Sequence, residues 1–286
     1  MEELGKYIDP FTDFGFKRLF GSEPHKDLLI DFLNEILRGK EQIKQLTYAK
    51  NEHLGQSNED RKAIFDLYCL NERGERFIVE LQKAKQRYFK DRSVFYATFP
   101  VQEQGQKGEG WNFRLNGVYT IGIMDFAFDN NYPNQFIHEV KLMETRRKEV
   151  FYDKLTFVYL EMTKFNKTEE ELSTHLEKWL FLLKNLHRFQ EIPAVLQEKI
   201  FRKAFKIAEV AKLNKQDMEQ YQASLKYKRD WKNTLDYAVE EAAEKGMEKG
   251  MEKGMEKVAN VMRQKGYSLN EISELTGLSI EKIKSL

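Results

Sequence analysis

Apolar residues in the first part of the chain follow two different spacings. From residue 24 to 38 they recur every three or four positions, with Pro24 suited to a first helical position and Gly39 to the stop, which predicts a helix. Continuous or alternating apolar runs predict strands instead, at 43–49, 63–70, 76–82, 118–128, 135–143 and 154–162. With an aromatic-rich helix expected over 85–103, residues 1–165 predict an α/β domain.

After residue 165 the pattern is helical throughout. Thr168 and Glu171 have the spacing of a capping box, and the apolar residues that follow, up to Leu183, form one helical face. Further helical patterns cover 194–212 and 216–245. These segments predict an all-α extension behind the mixed domain.

Residues 244–257 repeat a four-residue unit in which glycine is followed by methionine, glutamate and lysine. A period of four drifts slowly around a helix, so the glycines and methionines could form a close-packing seam for a partner helix. The alternative is a charged, low-complexity linker, because each glycine costs a helix about 1 kcal/mol. The repeat leaves both interpretations open.

Residues 257–286 predict a small unit of their own. A helix ends near Gly266, and Ser268 and Ser279 are suited to cap two further short helices on either side of a Thr-Gly-Leu turn. This is helix-turn-helix spacing, but the last helix offers only Lys282 and Lys284 as cations. DNA readout and a packing or dimerisation module therefore both fit. The predicted domains are 1–165, 166–245, 246–256 and 257–286.

Composition narrows the class of protein. The 286 residues include 41% hydrophobic and 33% charged residues, which excludes a wholly disordered chain and an integral membrane protein. Cys69, the single cysteine, has no partner for an intramolecular disulfide, which suits a reducing cytosol. The acidic N-terminus lacks the apolar core of a signal peptide, and no stretch reaches the about 20 apolar residues of a bilayer span. We expect a cytoplasmic protein with no membrane partner.

The formal net charge of +1 hides an uneven distribution. Residues 83–92 contain five cations and one acid, and residues 198–232 contain ten cations and five acids. Clustered cations of this kind bind phosphates, although a helix with a charged, solvated face is the alternative for either segment. The near-neutral total therefore does not exclude a nucleic-acid partner.

The two strands at 63–70 and 76–82 predict a hairpin with a defined register. A three-residue loop, Glu72-Arg73-Gly74, is a favoured connection when glycine takes the left-handed position. It sets Asp66 directly opposite Glu80. Because strand side chains alternate between faces, the polar face carries Asp66, Glu80 and Gln82. The other face is apolar and consists of Phe65, Leu67, Cys69, Phe77, Val79 and Leu81.

Directly opposed residues have Cβ atoms about 4.5–5.5 Å apart, where like charges are destabilising. Two carboxylates in this position require a proton or a cation between them. Oxygen ligands of this kind suit Mg²⁺, which takes one or two protein carboxylates together with water and substrate phosphate. The alternative is a solvated polar face on which neighbouring Lys or Arg residues neutralise Asp66 and Glu80.

Several motifs in this order resemble the PD-(D/E)XK nuclease superfamily, and in particular its Rpn group of recombination-promoting nucleases, also described as PD-(D/E)XK transposases. They begin with Asp13-Phe14-Gly15-Phe16-Lys17-Arg18-Leu19-Phe20-Gly21 and continue with the helix that ends Phe32-Leu33-Asn34-Glu35-Ile36-Leu37. The strand motif Val79-Glu80-Leu81-Gln82, the Arg92 and Tyr96 pair and the C-terminal repeats complete the resemblance, which covers nearly the whole chain.

The resemblance implies a PD-(D/E)XK restriction-endonuclease-like core, with a mixed sheet flanked by helices, and a metal-dependent DNA endonuclease. Asp66, Glu80 and the backbone carbonyl of Leu81 would hold Mg²⁺ or Mn²⁺. Gln82 occupies the third catalytic position, where its amide would position the attacking water without supplying a charge. That position is usually lysine in the superfamily, although the Rpn group is known for this glutamine form. Lys85 and Arg92 are candidate substitutes for that lysine, with contacts to phosphate or solvent as the alternative and favoured interpretation. Glu35 is a further candidate metal contact, with a surface charge as the alternative.

The basic segment that follows the motif is expected to bind DNA, through Lys83, Lys85, Arg87, Lys90 and Arg92. The implied biology is recombination, transposition or another mobile-element process, with a homodimer through the C-terminal helices as a further expectation. Two other functions stay open: a nuclease fold with weak or lost catalysis that binds DNA or protein, and a helix-turn-helix regulator.

Other chemistries fit poorly. The five histidines lack ligand spacing, and one cysteine cannot complete a structural zinc site. The glycine pattern from Gly105 to Gly110 lacks the Lys-Ser/Thr ending of a P-loop, and no Gly-x-Ser-x-Gly element occurs.

Overall fold

The computed structural model describes residues 4–40, 42–50, 52–53, 63–106, 110–128 and 131–286, with the side chains of 52, 53 and 63 outside the description. Contacts divide the chain into two compact units, Met1–Ser224 and Leu225–Leu286. This division does not test the domain boundaries predicted near 165 and 245, which stay predictions. The first unit contains the sheet and is described first.

A six-stranded mixed sheet forms the centre of the first unit, in the order β1-β4-β5-β6-β8-β7. The strands β5, β6 and β8 run parallel, and the remaining neighbours pair antiparallel. A separate two-stranded ribbon pairs β2 with β3. The strands are β1 (Leu46–Tyr48), β2 (Glu52–His53), β3 (Ala63–Ile64), β4 (Leu67–Asn71), β5 (Arg76–Gln82), β6 (Val118–Met124), β7 (Ile137–Glu144) and β8 (Glu149–Glu161).

The hairpin of β4 and β5 has the predicted register. Leu67 pairs with Val79, and Gly74 takes the left-handed conformation (φ 74°) that the short loop requires. The prediction that Phe65 shares a face with Leu67 is wrong. A bend at Asp66 separates β3 from β4, so Phe65 instead packs beside Tyr68 on the opposite face.

Helices cover both faces of the sheet, which is why the hairpin is buried on its polar side as well. On one face α3 (Phe89–Gln102) packs over β5, β6 and β8, where Phe89 and Ala97 meet Met124 and Tyr159. On the other face the end of α1 approaches β4: a Cβ on Gly21 would lie 3.1 Å from Leu67. Parallel strands of this kind are typically covered on both faces.

The helices of the first unit differ from their predicted bounds at several ends. They are α1 (Asp13–Phe20), α2 (Lys26–Ile36), α3, α4 (His175–Asn185) and α5 (Lys199–Ala208). The sequence pattern did not predict α1. A second capping box, formed by Thr174 and Glu177, starts α4 after the short 3₁₀ turn that Thr168 caps. Both α4 and α5 pack against the N-terminal helices. The mixed sheet flanked by helices confirms the predicted α/β fold class.

One long helix, α6 (Lys215–Gln264), crosses from the first unit into the second and includes the glycine-methionine repeat. The repeat is therefore helical. Apart from the adjoining backbone of α6 itself, no described atom lies within 4 Å of the Cβ positions of Gly246, Gly250 and Gly254, and the neighbouring methionines are exposed. The partner helix and the homodimer stay predictions. No described helix is long and apolar enough to cross a membrane.

The second unit closes with α7 (Leu269–Thr276) and α8 (Ile280–Ser285), which Ser268 and Ser279 cap as predicted. Ile272 and Ile283 from these helices pack on Ala259 of α6. The Nζ of Lys282 lies 2.8 Å from the carboxylate of Glu256 and 3.5 Å from that of Glu252. One of the two cations of the last helix is therefore neutralised within its own unit.

Candidate active site

Asp66 and Glu80 lie side by side where β4 begins and β5 approaches its end. The backbone N–H of Asp66 donates to a carboxylate oxygen of Glu80 (3.3 Å), and the N–H of Leu81 donates to a carboxylate oxygen of Asp66 (2.7 Å). The bend at Asp66 frees its backbone from the β4 ladder and allows both contacts. Each carboxylate is thus fixed by the backbone of the opposite strand.

Burial and mutual repulsion disfavour the charged forms of this pair. The pKa of Glu80 is raised to about 8. Burial is the larger cause, and the negative charge of Asp66 adds to it. Burial also raises the pKa of Asp66, against the hydrogen bond from Leu81 and the charge of Lys17, which lower it. Two carboxylates with raised pKa values at one point of the sheet favour a bound cation or a shared proton.

The backbone of Leu81 faces the same place. In a strand the N–H and C=O of one residue point to the same edge, and the N–H of Leu81 points to Asp66. The carbonyl of the next residue, Gln82, points the other way and accepts from the N–H of Asp125 (2.9 Å). The Leu81 carbonyl is therefore directed to the edge that holds Asp66.

Gln82 is buried and both ends of its amide have partners. Its nitrogen donates to the carbonyl of Ala84 (3.0 Å), and its oxygen accepts from the guanidinium of Arg92. Arg92 also lies 5.5 Å from the ring centre of Tyr96 and 5.6 Å from that of Phe89. The charge of Arg92 lowers the pKa of Glu80, so a fixed cation lies in the field of the carboxylate pair.

The basic segment 83–92 is not one helix, because α3 begins only at Phe89 and a turn precedes it. Lys83 lies near the pair and lowers the pKa of Asp66. Lys85 and Lys90 both contact Phe128, the first through a 2.6 Å hydrogen bond to its carbonyl and the second 4.7 Å from its ring centre.

Arg87 lies 5.5 Å from the ring centre of Tyr88, and both side chains are exposed. Of the five cations predicted to bind DNA, Lys83 and Arg92 therefore act electrostatically on the carboxylates. Lys85, Arg87 and Lys90 lie on the adjoining loop and the start of α3.

Two charged residues of α1 act on the site, and the sequence pattern assigned a role to neither. Lys17 and Asp13 form a 2.8 Å ion pair on the exposed side of α1, and the charges of both act on Asp66. Lys17 also lowers the pKa of Glu80. Asp13 and Lys17 are four residues apart among four buried apolar positions, and this spacing could have predicted an amphipathic helix. It could not have predicted that the polar side of that helix acts on Asp66 and Glu80.

Glu35, the extra candidate for the metal, acts on a histidine of α4. Its negative charge helps to raise the pKa of His175, whose main partner is Asp31. One of its oxygens is buried and has no hydrogen-bond partner among the residues that the structure describes. Glu35 therefore belongs to a carboxylate and histidine cluster between α2 and α4.

The donor set fits a hard cation with few protein ligands. Among the described residues no group of three or more His, Cys, Asp and Glu side chains is arranged to hold a metal. Mg²⁺ commonly binds through one or two carboxylates and fills its remaining positions with water and substrate phosphate. Asp66, Glu80 and the Leu81 carbonyl meet that smaller requirement, and the unfavourable charge of the carboxylate pair supplies the reason to bind.

Comparison with known families gives one match that spans most of the molecule. The model of the PD-(D/E)XK nuclease family transposase matches residues 10–238. That range includes α1, the hairpin with Asp66 and Glu80, α3 and the rest of the sheet. No curated protein and no solved structure matches the chain.

Proposed function

The chain belongs to the PD-(D/E)XK nuclease family of transposases, and we propose that it is a Mg²⁺- or Mn²⁺-dependent endonuclease that hydrolyses phosphodiester bonds in DNA. The observation that carries this proposal is the pair of Asp66 and Glu80, held on opposite strands with raised pKa values. A fold gains nothing in stability from two adjacent buried carboxylates. A metal-binding role explains why they are there.

Asp66, Glu80 and the carbonyl of Leu81 would hold the ion. When bound, such an ion polarises a phosphodiester and lowers the pKa of a water molecule. The chain's own residues contribute by fixing the two carboxylates before substrate arrives. Each carboxylate accepts a backbone N–H from the facing strand, so its position does not depend on a flexible side-chain partner.

Positive charge around Glu80 comes from α1 and α3 instead of from the usual motif lysine. Gln82 occupies the lysine position, and its amide oxygen fixes Arg92. Lys17 from α1 and Arg92 from α3 both act on Glu80. We propose that these two cations stabilise the negative charge that develops on the phosphate, as the motif lysine does elsewhere in the superfamily.

DNA is the proposed substrate because the cations that follow the motif are exposed. Lys85, Arg87 and Lys90 lie on the loop after β5 and the first turn of α3, next to Arg92. Phosphate contacts of this kind supply most of the affinity for nucleic acid and orient the backbone. A role in recombination or transposition in the cytoplasm is the biological context we propose.

The competing function is a binding module that has lost catalysis. Such a module would be expected to neutralise Glu80 by a salt bridge. Among the described residues no Lys or Arg forms a salt bridge with Glu80, whose carboxylate accepts the N–H of Asp66. This favours the enzyme.

The test is cleavage of supercoiled, linear and single-stranded DNA with Mg²⁺ or with EDTA. We expect Asp66→Asn and Glu80→Gln, which keep the hydrogen-bond acceptors, to lower the cleavage rate about 100-fold or more, because the ion loses a ligand worth several kcal/mol. Asp91→Asn, an exposed acid in the first turn of α3, is the matched control and is expected to cleave normally. Wild-type rates in folded Asp66→Asn and Glu80→Gln would exclude this mechanism.

A further inference from the structure

A second basic surface lies in the first unit, between α1, the turn before α2 and the helix α5. It is a cavity of about 920 Å³. Six cationic side chains and one carboxylate, that of Asp27, line it. The cations are Arg18, Lys199, Arg202, Lys203, Lys206 and Lys212. We call this cavity the α5 groove.

Half of these cations are already neutralised. Lys203 forms a 2.6 Å ion pair with Asp27, and Arg18 forms a 3.0 Å ion pair with Asp217. Lys212 pairs with Glu209 at 2.7 Å. Asp27 itself lines the groove, and each of these three cations is compensated by its own carboxylate partner.

The other three cations have no carboxylate partner within the described part of the chain. Arg202 donates to the neutral amide of Gln197 (3.1 Å), and Lys199 and Lys206 are exposed. Uncompensated charge costs little in water but repels itself when it is concentrated on one side of a helix. The concentration therefore adds nothing to the stability of α5.

The three uncompensated cations share one side of α5. Positions 199, 202 and 206 are spaced i, i+3 and i+7, whereas the buried residues Phe201, Ala204, Phe205 and Ala208 occupy the opposite side. At a rise of 1.5 Å per residue the array extends over roughly 10 Å. A small anion is held by groups that converge on one point, whereas an extended row suits a chain of phosphates.

The groove adjoins the candidate active site through α1. Lys17 and Arg18 are consecutive residues, and side chains one residue apart on a helix point about 100° apart. The charge of Lys17 acts on Asp66 and Glu80, and Arg18 lines the groove. One helix therefore separates the carboxylates from the row of cations.

We propose that the α5 groove binds the phosphodiester backbone of DNA outside the active site and anchors the duplex whose scissile bond lies at Asp66 and Glu80. This inference rests on the proposed function. It assigns Lys199, Arg202 and Lys206 as phosphate contacts that contribute to DNA affinity and take no part in hydrolysis.

The experiment measures binding separately from cleavage. The triple variant Lys199→Gln/Arg202→Gln/Lys206→Gln is compared with the wild type by fluorescence anisotropy of a labelled duplex in EDTA. We expect the affinity to fall about tenfold or more at 0.15 M salt, and the slope of log affinity against log salt to fall by about 2–3, because each lost phosphate contact removes about 0.9.

A charge-matched control separates the groove from general charge loss. The variant Arg114→Gln/Arg146→Gln/Lys148→Gln removes the same charge from exposed positions outside the groove and is expected to keep most of the affinity. Unchanged binding by the groove variant, or an equal loss in the control, would overturn the proposal. The same holds if tripolyphosphate binding is lost in the groove variant while DNA affinity is unchanged, since the groove then takes a small polyanion.

The two proposals fail in different ways. Loss of DNA affinity in the groove variant, together with wild-type cleavage by Asp66→Asn, would remove the nuclease mechanism and keep the anchor. Unchanged DNA affinity in the groove variant, together with loss of cleavage in Asp66→Asn, would remove the anchor and keep the nuclease mechanism.

Discussion

The amide oxygen of Gln82 accepts a hydrogen bond from the guanidinium of Arg92, ten residues further along the chain. Gln82 ends β5, and Arg92 lies near the start of α3, on the face of the sheet that carries Glu80. A lysine at position 82 would donate where Gln82 accepts, and two cations would then meet in a buried place. The glutamine and the arginine are therefore one unit that supplies charge to the site.

Restoring the lysine of the usual motif is expected to impair this protein. Gln82→Lys places an ammonium against the guanidinium of Arg92, so we expect a cleavage rate about tenfold lower, as for loss of a positioned group. The double variant Gln82→Lys/Arg92→Gln removes the repulsion and is expected to cleave faster than Gln82→Lys alone. Single-turnover cleavage rates of the three proteins measure this. A Gln82→Lys variant that is faster than the wild type would contradict the paired role.

Metal binding is expected to stabilise the wild type and not the Asp66→Asn variant. An ion that binds only the folded state raises its stability with concentration, by about 2.7 kcal/mol at 100 times the dissociation constant. In EDTA the variant loses a like-charge repulsion, and we expect its melting temperature to equal or exceed that of the wild type. Thermal unfolding with Mg²⁺ and with EDTA measures both effects. An equal Mg²⁺ shift in the two proteins would place the ion elsewhere.

Lys17 is expected to act through its charge. It acts on both carboxylates and is proposed to stabilise the negative charge that develops on the phosphate, so Lys17→Gln should lower the cleavage rate about tenfold or more. Lys17→Arg keeps the charge and is expected to keep most of the rate. Lys26→Gln, which removes a cation paired with Glu23, is the control. Equal rates for Lys17→Gln and Lys17→Arg would argue against a charge effect.

The hairpin turn is expected to be sensitive to a side chain at Gly74. Its φ of 74° is strained for other residues, and a Cβ would lie 2.8 Å from the amide nitrogen of Asn116. We expect Gly74→Ala to lower the free energy of unfolding by about 1–2 kcal/mol or more. Gly39→Ala is the control, since Gly39 has a φ of 91° and open space around its Cβ position. Urea unfolding measures both, and the difference reports the contact with Asn116.

The free energy of unfolding is expected to fall with rising pH because His175 loses its proton. Its Nε2 lies 2.7 Å from Asp31 and its Nδ1 lies 3.0 Å from Glu198, and the hydrogen bond to Asp31 is the main cause that raises its pKa above the usual 6.5. A histidine with a raised pKa stabilises the fold fully below its unfolded pKa, and this contribution is lost as the pH rises through the folded value.

The free energy of unfolding should therefore decrease as the pH rises above about 6.5, and His175→Gln should reduce that dependence. Trp179 donates to the same Asp31, so its fluorescence reports unfolding at this point. His25→Gln is the control and should keep the dependence. An unchanged pH profile in His175→Gln would exclude this residue as its source.

The sequence by itself determined the features that depend on neighbours along the chain. The loop Glu72-Arg73-Gly74 sets the register of β4 and β5 as far as Leu67 and Val79, and this register brings Asp66, the residue before β4, to Glu80. The caps at Ser268 and Ser279 were predicted for the same reason, because each satisfies backbone groups within its own first turn. The family motifs likewise lie in order along the chain.

Tertiary structure decided which of these residues meet others. The bend at Asp66 turns Phe65 to the face opposite Leu67. The helix α3 covers the polar face of the hairpin, for which the alternation of side chains along the strands allowed either solvent exposure or a functional site. The contact of Arg92 with Gln82, and the action of the Lys17 charge on Glu80, join segments that no local pattern connects. Spacing specifies the face of an element, but only the packing of distant elements decides what that face meets.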